Sequence, residues 1–297
     1  MVKKYKKLIS IFIAALLLSG SFITGASVKA YGASTDIVYV ALGDSVAFGM
    51  SATAGNGYTD LLKTYLDGNP MSASTVYKNL SAPGFTAEDL YRQVKDNNYA
   101  QTVAAADIIT INIGGNNILG AVIGLVKNLY PDAPDTLDGL NQAVNMDPSR
   151  IAAIMEKLKD PASPESKALN LALIAGVTSF NVYYPLLMKE VRALAPKAEI
   201  YVNTLYSPVK KEQDLKTLLN PYIHSININI RSYQFRYQYK VVDVYSAFSV
   251  TRMNVLDFNI TSYPFNVDIH PNNEGHRLIY NTLKLRLRTA GSKYYYR

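Results

Sequence analysis

Three positions that each follow a short apolar run could supply most of the chemistry of acyl transfer. Ser45 presents a hydroxyl in a Gly-Asp-Ser turn, Gly84 stands just before the capping pattern of a predicted helix, and Asn116 follows two glycines. Acyl transfer needs a nucleophile, a base that takes its proton, and N–H donors for the negative charge that develops on the carbonyl oxygen. A serine hydroxyl can be the nucleophile, and a glycine amide and an asparagine side chain can be the donors.

A histidine near the end of the chain is the candidate base. His270 precedes Pro271, which favours an extended backbone, and Asp268 lies two residues earlier. Residues two apart in an extended segment point to the same side, so Asp268 could hold one nitrogen of the His270 ring while the other faces Ser45. A backbone carbonyl or Asp257 is an alternative for this orienting role.

Other polar residues near these motifs have ordinary structural interpretations. We interpret Asp44 as a turn residue beside Ser45. His276 falls in the first turn of the last predicted helix and His224 lies inside a helical pattern, so we expect both to be structural or solvent-facing.

The motifs stand at the ends of strands because short apolar runs alternate with longer helical patterns. This alternation is typical of parallel strands joined by helical crossovers, and ligands bind at the carboxyl ends of such strands. The predicted strands are Ile37–Leu42, Val76–Leu80, Ile108–Ile113, Glu199–Leu205 and Lys240–Val244. The predicted helices are Tyr58–Leu66, Ala87–Lys95, Pro164–Leu194, Glu212–Tyr237 and Asn273–Arg288. The sequence therefore predicts a doubly wound α/β domain around five strands.

One segment departs from a simple crossover. Residues 128–164 contain five prolines, and we expect a loop-rich insertion with a short helix near Ser149–Lys159. Such an insertion could cover a site or simply pack against the sheet. Pro221 lies within a helical pattern, where we expect the helix to restart or kink.

The first thirty residues resemble an export signal. Four lysines precede the 11-residue apolar run Leu8–Leu18, which is shorter than the ~20 residues that cross a bilayer, and Val28-Lys29-Ala30 has small residues where a signal peptidase reads. We therefore expect a signal peptide over residues 1–30, a single domain over residues 31–297, a secreted protein, and no stable membrane span. Removing the five lysines of this segment lowers the formal net charge from +7 to +2.

Composition excludes several classes of function. The chain has no cysteine, which rules out disulfides, thiolate nucleophiles, a lipid-anchoring cysteine and cysteine-ligated metal sites. Without its first thirty residues the chain has little net charge, and its one dense basic and aromatic cluster is the tail at residues 293–297, so we expect no nucleic-acid partner.

Together, the four motifs resemble the GDSL-type SGNH hydrolase family of esterases and lipases. The resemblance spans nearly the whole mature chain and implies a flavodoxin-like, three-layer α/β/α sandwich with a five-stranded parallel sheet. It also implies that Ser45 is the nucleophile and His270 the base. The oxyanion hole would consist of the Ser45 and Gly84 amides with the Asn116 side chain. No metal or organic cofactor is implied.

The sequence departs from the family pattern at two positions. The family usually places its aspartate three residues before the histidine, where this chain has Val267, so the role falls to Asp268. Many members have an aspartate after the block asparagine, where this chain has Asn117. We expect Asn117 to adjust local hydrogen bonding at a turn.

These observations favour a secreted serine esterase or lipase that acts on acyl esters such as those of a lipid or lysophospholipid. A carbohydrate O-acetyl esterase of the same family is an alternative. A non-catalytic cell-surface binding protein is another, suggested by the shifted aspartate and by 23 tyrosines. The apolar run Ile118–Val126 is compatible with a wall for an acyl chain, although an apolar helix is more often simply buried. The sequence indicates no oligomeric state.

Overall fold

The structure is a computed structural model that describes residues 36–70, 72–96, 98–134, 136–209 and 213–296. The expected signal peptide, residues 1–30, lies outside these residues. Five strands form one parallel sheet in the order β2-β1-β3-β4-β5. They are β1 (Ile37–Gly43), β2 (Thr75–Asn79), β3 (Ile108–Asn112), β4 (Glu199–Asn203) and β5 (Lys240–Val242). This is the strand order of the flavodoxin-like fold, as the sequence predicted.

Eleven helices occur in the described part of the chain. They are α1 (Ser45–Phe48), α2 (Tyr58–Asp67), α3 (Ala87–Lys95), α4 (Ala100–Ala104), α5 (Gly115–Leu129), α6 (Leu137–Met146), α7 (Ser149–Lys159), α8 (Pro164–Leu194), α9 (Gln213–Ser232), α10 (Val244–Val250) and α11 (Asn273–Thr289). The bounds of α3, α7 and α8 are those that the sequence predicted. The tertiary contacts place these helices on both faces of the sheet.

Two hydrophobic cores cover the two faces. Val40 and Leu42 of β1 pack in one core with side chains of α3, α8 and α9, whereas Tyr39 and Ala41 pack in the other with side chains of α2 and α11. Because successive strand residues point to opposite faces, a strand covered on both sides must be apolar throughout. This explains the almost uninterrupted apolar runs of β1 and β3.

Some predicted boundaries were wrong for local reasons. β4 ends at Asn203 and not at Leu205, because the Asn227 side chain binds both the N–H (2.7 Å) and the carbonyl (2.9 Å) of Leu205 and removes it from the strand ladder. Helix α9 ends at Ser232 and not at Tyr237. Helix α9 continues through Pro221 and does not restart there. Leu219 and Ile223, on either side of the proline, are both buried in the core.

The insertion at residues 128–164 contains more helix than the sequence predicted. Besides α7 it holds α6, and the two helices share a small core that includes Leu140, Val144 and Ile151. The insertion thus has a packed interior of its own and stands on the side of the sheet where α5 and α8 lie.

Helix α8 is long and apolar enough to cross a membrane by length and composition alone. Its Leu173, Phe180, Tyr184 and Leu187 are completely buried in the core that it shares with α3 and α9. One face of the helix is therefore part of the α/β sandwich.

Candidate active site

The turn after β1 presents Ser45 at the start of a short helix. Gly43 has φ +145°, and a Cβ at this position would lie 2.0 Å from the backbone oxygen of Asn112, so only glycine fits. Asp44 then caps α1 by accepting a hydrogen bond from the Val46 amide at 3.1 Å. Ser45 is consequently the first residue of the helix, where a backbone N–H has no partner within the helix and is free to bind an anion.

Ser45 and His270 are in hydrogen-bond contact although 225 residues separate them. The distance from Ser45 Oγ to His270 Nε2 is 2.9 Å, and that from His270 Nδ1 to Asp268 Oδ1 is 2.6 Å. A carboxylate can only accept, so Nδ1 carries the ring proton and Nε2 keeps its lone pair toward the serine hydroxyl. The structure thus joins the hydroxyl, the imidazole and the carboxylate in one relay of hydrogen bonds, an arrangement that can activate a serine nucleophile.

The aspartate reaches the ring from two residues away because the loop is tight. Asp268 Oδ1 also accepts a hydrogen bond from the backbone N–H of His270 at 2.9 Å, which closes a turn around the same oxygen. Asp257, the alternative orienter, instead accepts hydrogen bonds from Asn254 and Asn272. The carboxylate that lies against the histidine ring is therefore that of Asp268.

Ser51 holds the second oxygen of this carboxylate and was missed by the sequence analysis. Its hydroxyl donates to Asp268 Oδ2 at 2.5 Å, and its backbone has φ +63°, which is uncommon for a residue with a side chain. Burial by itself raises the pKa of Asp268, but hydrogen bonds from His270 and Ser51 outweigh it, and the pKa lies below its ordinary value. The acid is thus kept ionised beside the base.

Of the three candidate oxyanion donors, Ser45 and Asn116 line the same cleft, whereas Gly84 does not. Ser45, Asn116 and His270 line one cleft of about 30 Å³. Asn116 Nδ2 donates to the Phe85 carbonyl at 3.0 Å, which fixes the amide and leaves its second N–H available. Gly84 is exposed with φ +86° and is not among the described residues that line the cleft.

Gly84 nevertheless belongs to a loop that is tied to the site on both sides. Ala82 N–H donates to the Gly43 carbonyl at 3.1 Å, and Phe85 accepts the hydrogen bond from Asn116. Next to Asn116, the buried Asn117 accepts a hydrogen bond from the first amide of α3, that of Ala87, at 3.0 Å. Asn117 therefore joins α5 to the start of α3, and does not act at a local turn as the sequence suggested.

Behind the serine lies a buried polar network. Asp44 Oδ1 accepts a hydrogen bond from Asn112 Nδ2 at 3.0 Å, and Asn203 Nδ2 donates to Asn112 Oδ1 at 3.2 Å. Burial raises the pKa of Asp44 from 3.8 to about 6, against the opposing effects of the bonds from Asn112 and the Val46 amide and of His270. Asp44 therefore caps α1 and also belongs to the buried network behind Ser45, whereas the sequence suggested only a turn residue.

Three further side chains, also missed in the sequence, hold the loop that carries His270. Asn145 of α6 makes two hydrogen bonds with the backbone of Phe265, both 2.8 Å, and Asn141, one turn earlier, accepts from the Val267 amide at 2.7 Å. From another direction, the Tyr206 hydroxyl donates to the Ile269 carbonyl at 2.9 Å. Nothing in the local sequence pattern distinguishes these residues, since their partners lie up to 126 positions away.

The remaining histidines lie outside the relay. His276 is completely buried: its Nδ1 accepts from the Tyr58 amide at 3.2 Å and its Nε2 donates to the Met50 carbonyl at 3.0 Å. Burial lowers its pKa, which keeps the ring neutral, as both bonds require. His224 is exposed on α9. In the described part of the chain, no cluster of three or more histidine, aspartate or glutamate side chains could hold a metal ion.

Comparison with known proteins shows the family of the chain. The model of the GDSL-like lipase/acylhydrolase family matches residues 41–278. A comparison with curated protein sequences gave no match.

Among solved structures, the fold is similar to that of two lipases. A lipase from a goat rumen metagenome is 17% identical, with 84% of this chain and 97% of that chain covered and a TM-score of 0.56. An extracellular lipase from Streptomyces rimosus is 15% identical, with 84% of this chain and 99% of that chain covered and a TM-score of 0.54. At such low identities these likenesses establish the fold.

Replacing Asp268 should slow the reaction of Ser45 more than removing the Ser51 hydroxyl, which is the second side-chain partner of Asp268. We expect Asp268→Asn to slow labelling of Ser45 by a fluorophosphonate by about 10³ to 10⁴-fold, since the amide favours the wrong ring tautomer. Ser51→Ala leaves the bond to the ring in place and should slow labelling by about 10-fold. Near-normal labelling of Asp268→Asn together with a large loss in Asp257→Asn would transfer the role to Asp257.

The raised pKa of Asp44 predicts a measurable pH dependence of stability. Between about pH 4 and 6 the folded chain holds a proton on Asp44 that the unfolded chain has lost, so this group's contribution to the free energy of unfolding falls as the pH rises. The total decrease is about 3 kcal/mol.

Urea unfolding of the wild type and of Asp44→Asn at several pH values checks this. Asparagine can still cap α1, and the variant should lack this decrease. Parallel curves of stability against pH for the two proteins would contradict the assignment.

Proposed function

The chain belongs to the GDSL-like lipase/acylhydrolase family, and we propose that it is a serine esterase that hydrolyses carboxylic esters through an acyl-enzyme. The observation that carries the proposal is the unbroken relay of hydrogen bonds from Ser45 Oγ through His270 to Asp268, with distances of 2.9 and 2.6 Å. Such a relay has the geometry of an activated serine nucleophile.

In the first half-reaction, Ser45 Oγ attacks the ester carbonyl carbon and His270 Nε2 takes the hydroxyl proton. Asp268 stabilises the imidazolium that forms, because its ionised carboxylate lies 2.6 Å from Nδ1. The Ser45 amide at the start of α1 and the free N–H of Asn116 are the donors proposed for the oxyanion. Gly84 is proposed as the third donor, which requires its loop to approach the bound ester.

The tetrahedral intermediate then collapses. His270 passes the proton to the leaving alcohol, and the acyl group remains on Ser45. In the second half-reaction a water molecule gives a proton to His270 and its oxygen attacks the acyl carbon. The bond from that carbon to Ser45 Oγ then breaks, His270 returns the proton to Oγ, and the carboxylic acid is released. His270 Nε2 accepts and returns the proton in both half-reactions, and its contact with Ser45 Oγ at 2.9 Å carries the first and the last of these transfers.

Two features favour catalysis over a binding protein that has lost its activity. The aspartate sits one position away from the family pattern, but its oxygens are satisfied by the His270 ring and backbone on one side and by Ser51 on the other. Ser51 adopts an unfavourable backbone conformation to make this contact. A scaffold free of catalytic function has no need of that arrangement.

We also propose that the protein is exported with cleavage after Ala30. The support is the sequence alone: four lysines, the apolar run Leu8–Leu18, and small residues at positions 28 and 30. Export is compatible with a chain that contains no cysteine and depends on no disulfide.

Replacement of the nucleophile is the direct test of the proposed activity. Ser45→Ala should lower kcat for a nitrophenyl ester by at least about 10³-fold and by up to roughly 10⁶-fold, with unchanged circular dichroism. The matched control Ser249→Ala removes an exposed hydroxyl of α10 and should hydrolyse the ester at the wild-type rate. Full activity in folded Ser45→Ala would refute the mechanism.

Export predicts a defined N-terminus. When the full chain is expressed in a bacterium that secretes proteins, N-terminal sequencing of the protein in the medium should begin at Tyr31. Ala30→Asp should leave the precursor uncut, because the peptidase requires a small residue there. Wild-type protein that stays in the cells with residues 1–30 attached would contradict export.

A further inference from the structure

A second, larger cavity adjoins the catalytic cleft. It has a volume of about 240 Å³ and shares Leu119, Ile269 and His270 with the cleft that contains Ser45. Because His270 Nε2 is 2.9 Å from the serine oxygen, the mouth of this cavity lies beside the reacting atoms. A group attached to the carbonyl carbon can therefore extend into it.

Helix α5 forms one wall and is apolar without being buried. Of its 15 residues only Asn117 and Ile118 are buried, whereas Val122, Ile123 and Leu125 are half-buried and face the cavity. Of the two interpretations that the sequence left open for this run, this exposure favours a cavity wall over a simply buried helix. Covering half-buried apolar side chains with an apolar ligand removes their surface from water, which favours binding.

The insertion forms the opposite wall. Leu140 of α6 and Ile154 and Met155 of α7 line the cavity, together with Phe258 and Ile260 from the segment before His270. Among the described residues around the cavity, the polar ones are Lys127, Thr136 and His270. Sugar hydroxyls or a charged head group would lose their hydration here without finding enough partners, whereas a hydrocarbon chain loses nothing.

We propose that this cavity binds the acyl chain of the ester, so that the enzyme prefers esters of medium- or long-chain fatty acids over acetylated glycans. The inference rests on the proposed function. In a fatty-acid ester of a polar alcohol the apolar part is the acyl chain, and the alcohol must leave for water once His270 has protonated it. An acetyl group would occupy only the cleft and leave the cavity empty.

A series of nitrophenyl esters from acetate to palmitate measures the acyl preference. Full burial of a methylene raises kcat/KM by up to roughly fourfold. Octanoate has six more methylenes than acetate, so even a little more than half of this free energy for each should make kcat/KM for octanoate at least about 100-fold higher. The series has a second arm, in which acetate esters of alcohols of increasing length are compared. These should show little dependence on length.

Variants at Val122 test whether the cavity is the cause. Val122→Trp should fill it and lower the ratio of kcat/KM for dodecanoate over acetate by at least about 10-fold. Val122→Ser makes the wall polar without adding volume and should lower the same ratio, which keeps the test open if the tryptophan variant does not fold. The matched control Val182→Trp lies on the exposed face of α8 and should keep the wild-type ratio.

The outcomes separate this inference from the proposed function. A preference for acetate or acetylated xylan, or a rate that rises with the alcohol chain and not with the acyl chain, would overturn the acyl cavity and leave the esterase standing. A wild-type ratio in both Val122 variants would do the same. Loss of hydrolysis on every ester, with no fluorophosphonate adduct on Ser45, would remove the proposed function itself.

Discussion

The hydrogen-bonded relay from Ser45 through His270 to Asp268 depends on one short loop, residues 266–270, which must hold its shape without belonging to a strand or helix. Asp268 and His270 both lie on it, and a shift of its backbone would separate the imidazole from Ser45. The loop is held by hydrogen bonds with separate parts of the chain: Ser51 donates to Asp268, the Val267 amide donates to Asn141, and Tyr206 donates to the Ile269 carbonyl. Partners in three directions restrict the loop more than any one of them could.

Two carboxylates near the serine illustrate how environment sets the role. Asp268 receives hydrogen bonds on both oxygens, and its pKa is lowered in spite of burial. Asp44 is buried with fewer donors, and its pKa rises to about 6. Asp268 therefore stays ionised at weakly acidic pH, where Asp44 becomes protonated. Of the two, only Asp268 suits the stabilisation of an imidazolium. Asp44 instead caps the helix that presents the nucleophile.

The insertion connects the larger cavity to the loop that carries His270. The same helix that contributes Leu140 to the cavity wall contributes Asn141 and Asn145 to the hold on the histidine loop. The wall of the cavity and the base therefore share a rigid support. This arrangement explains why the segment is packed around a small core and is not an open loop.

Local patterns in the sequence were enough for the architecture. The apolar runs of β1 and β3 indicated strands covered on both faces, because the alternation of side chains leaves no other use for such runs. The start of α3 follows from the capping box at Thr86 and Asp89. Ser45 and His270 stood out because each lies in a motif of unusual residue types next to a predicted element.

Only the tertiary structure decided which partners these residues have. It placed Asp268, and not Asp257, against the ring, and it brought Ser51 to a carboxylate 217 residues away. It also showed that the apolar face of α5 lines a cavity, where the sequence left a cavity wall and simple burial both open. Periodicity reports which side of an element avoids water, but a contact between side chains far apart in sequence depends on how the elements pack, and no local pattern contains that information.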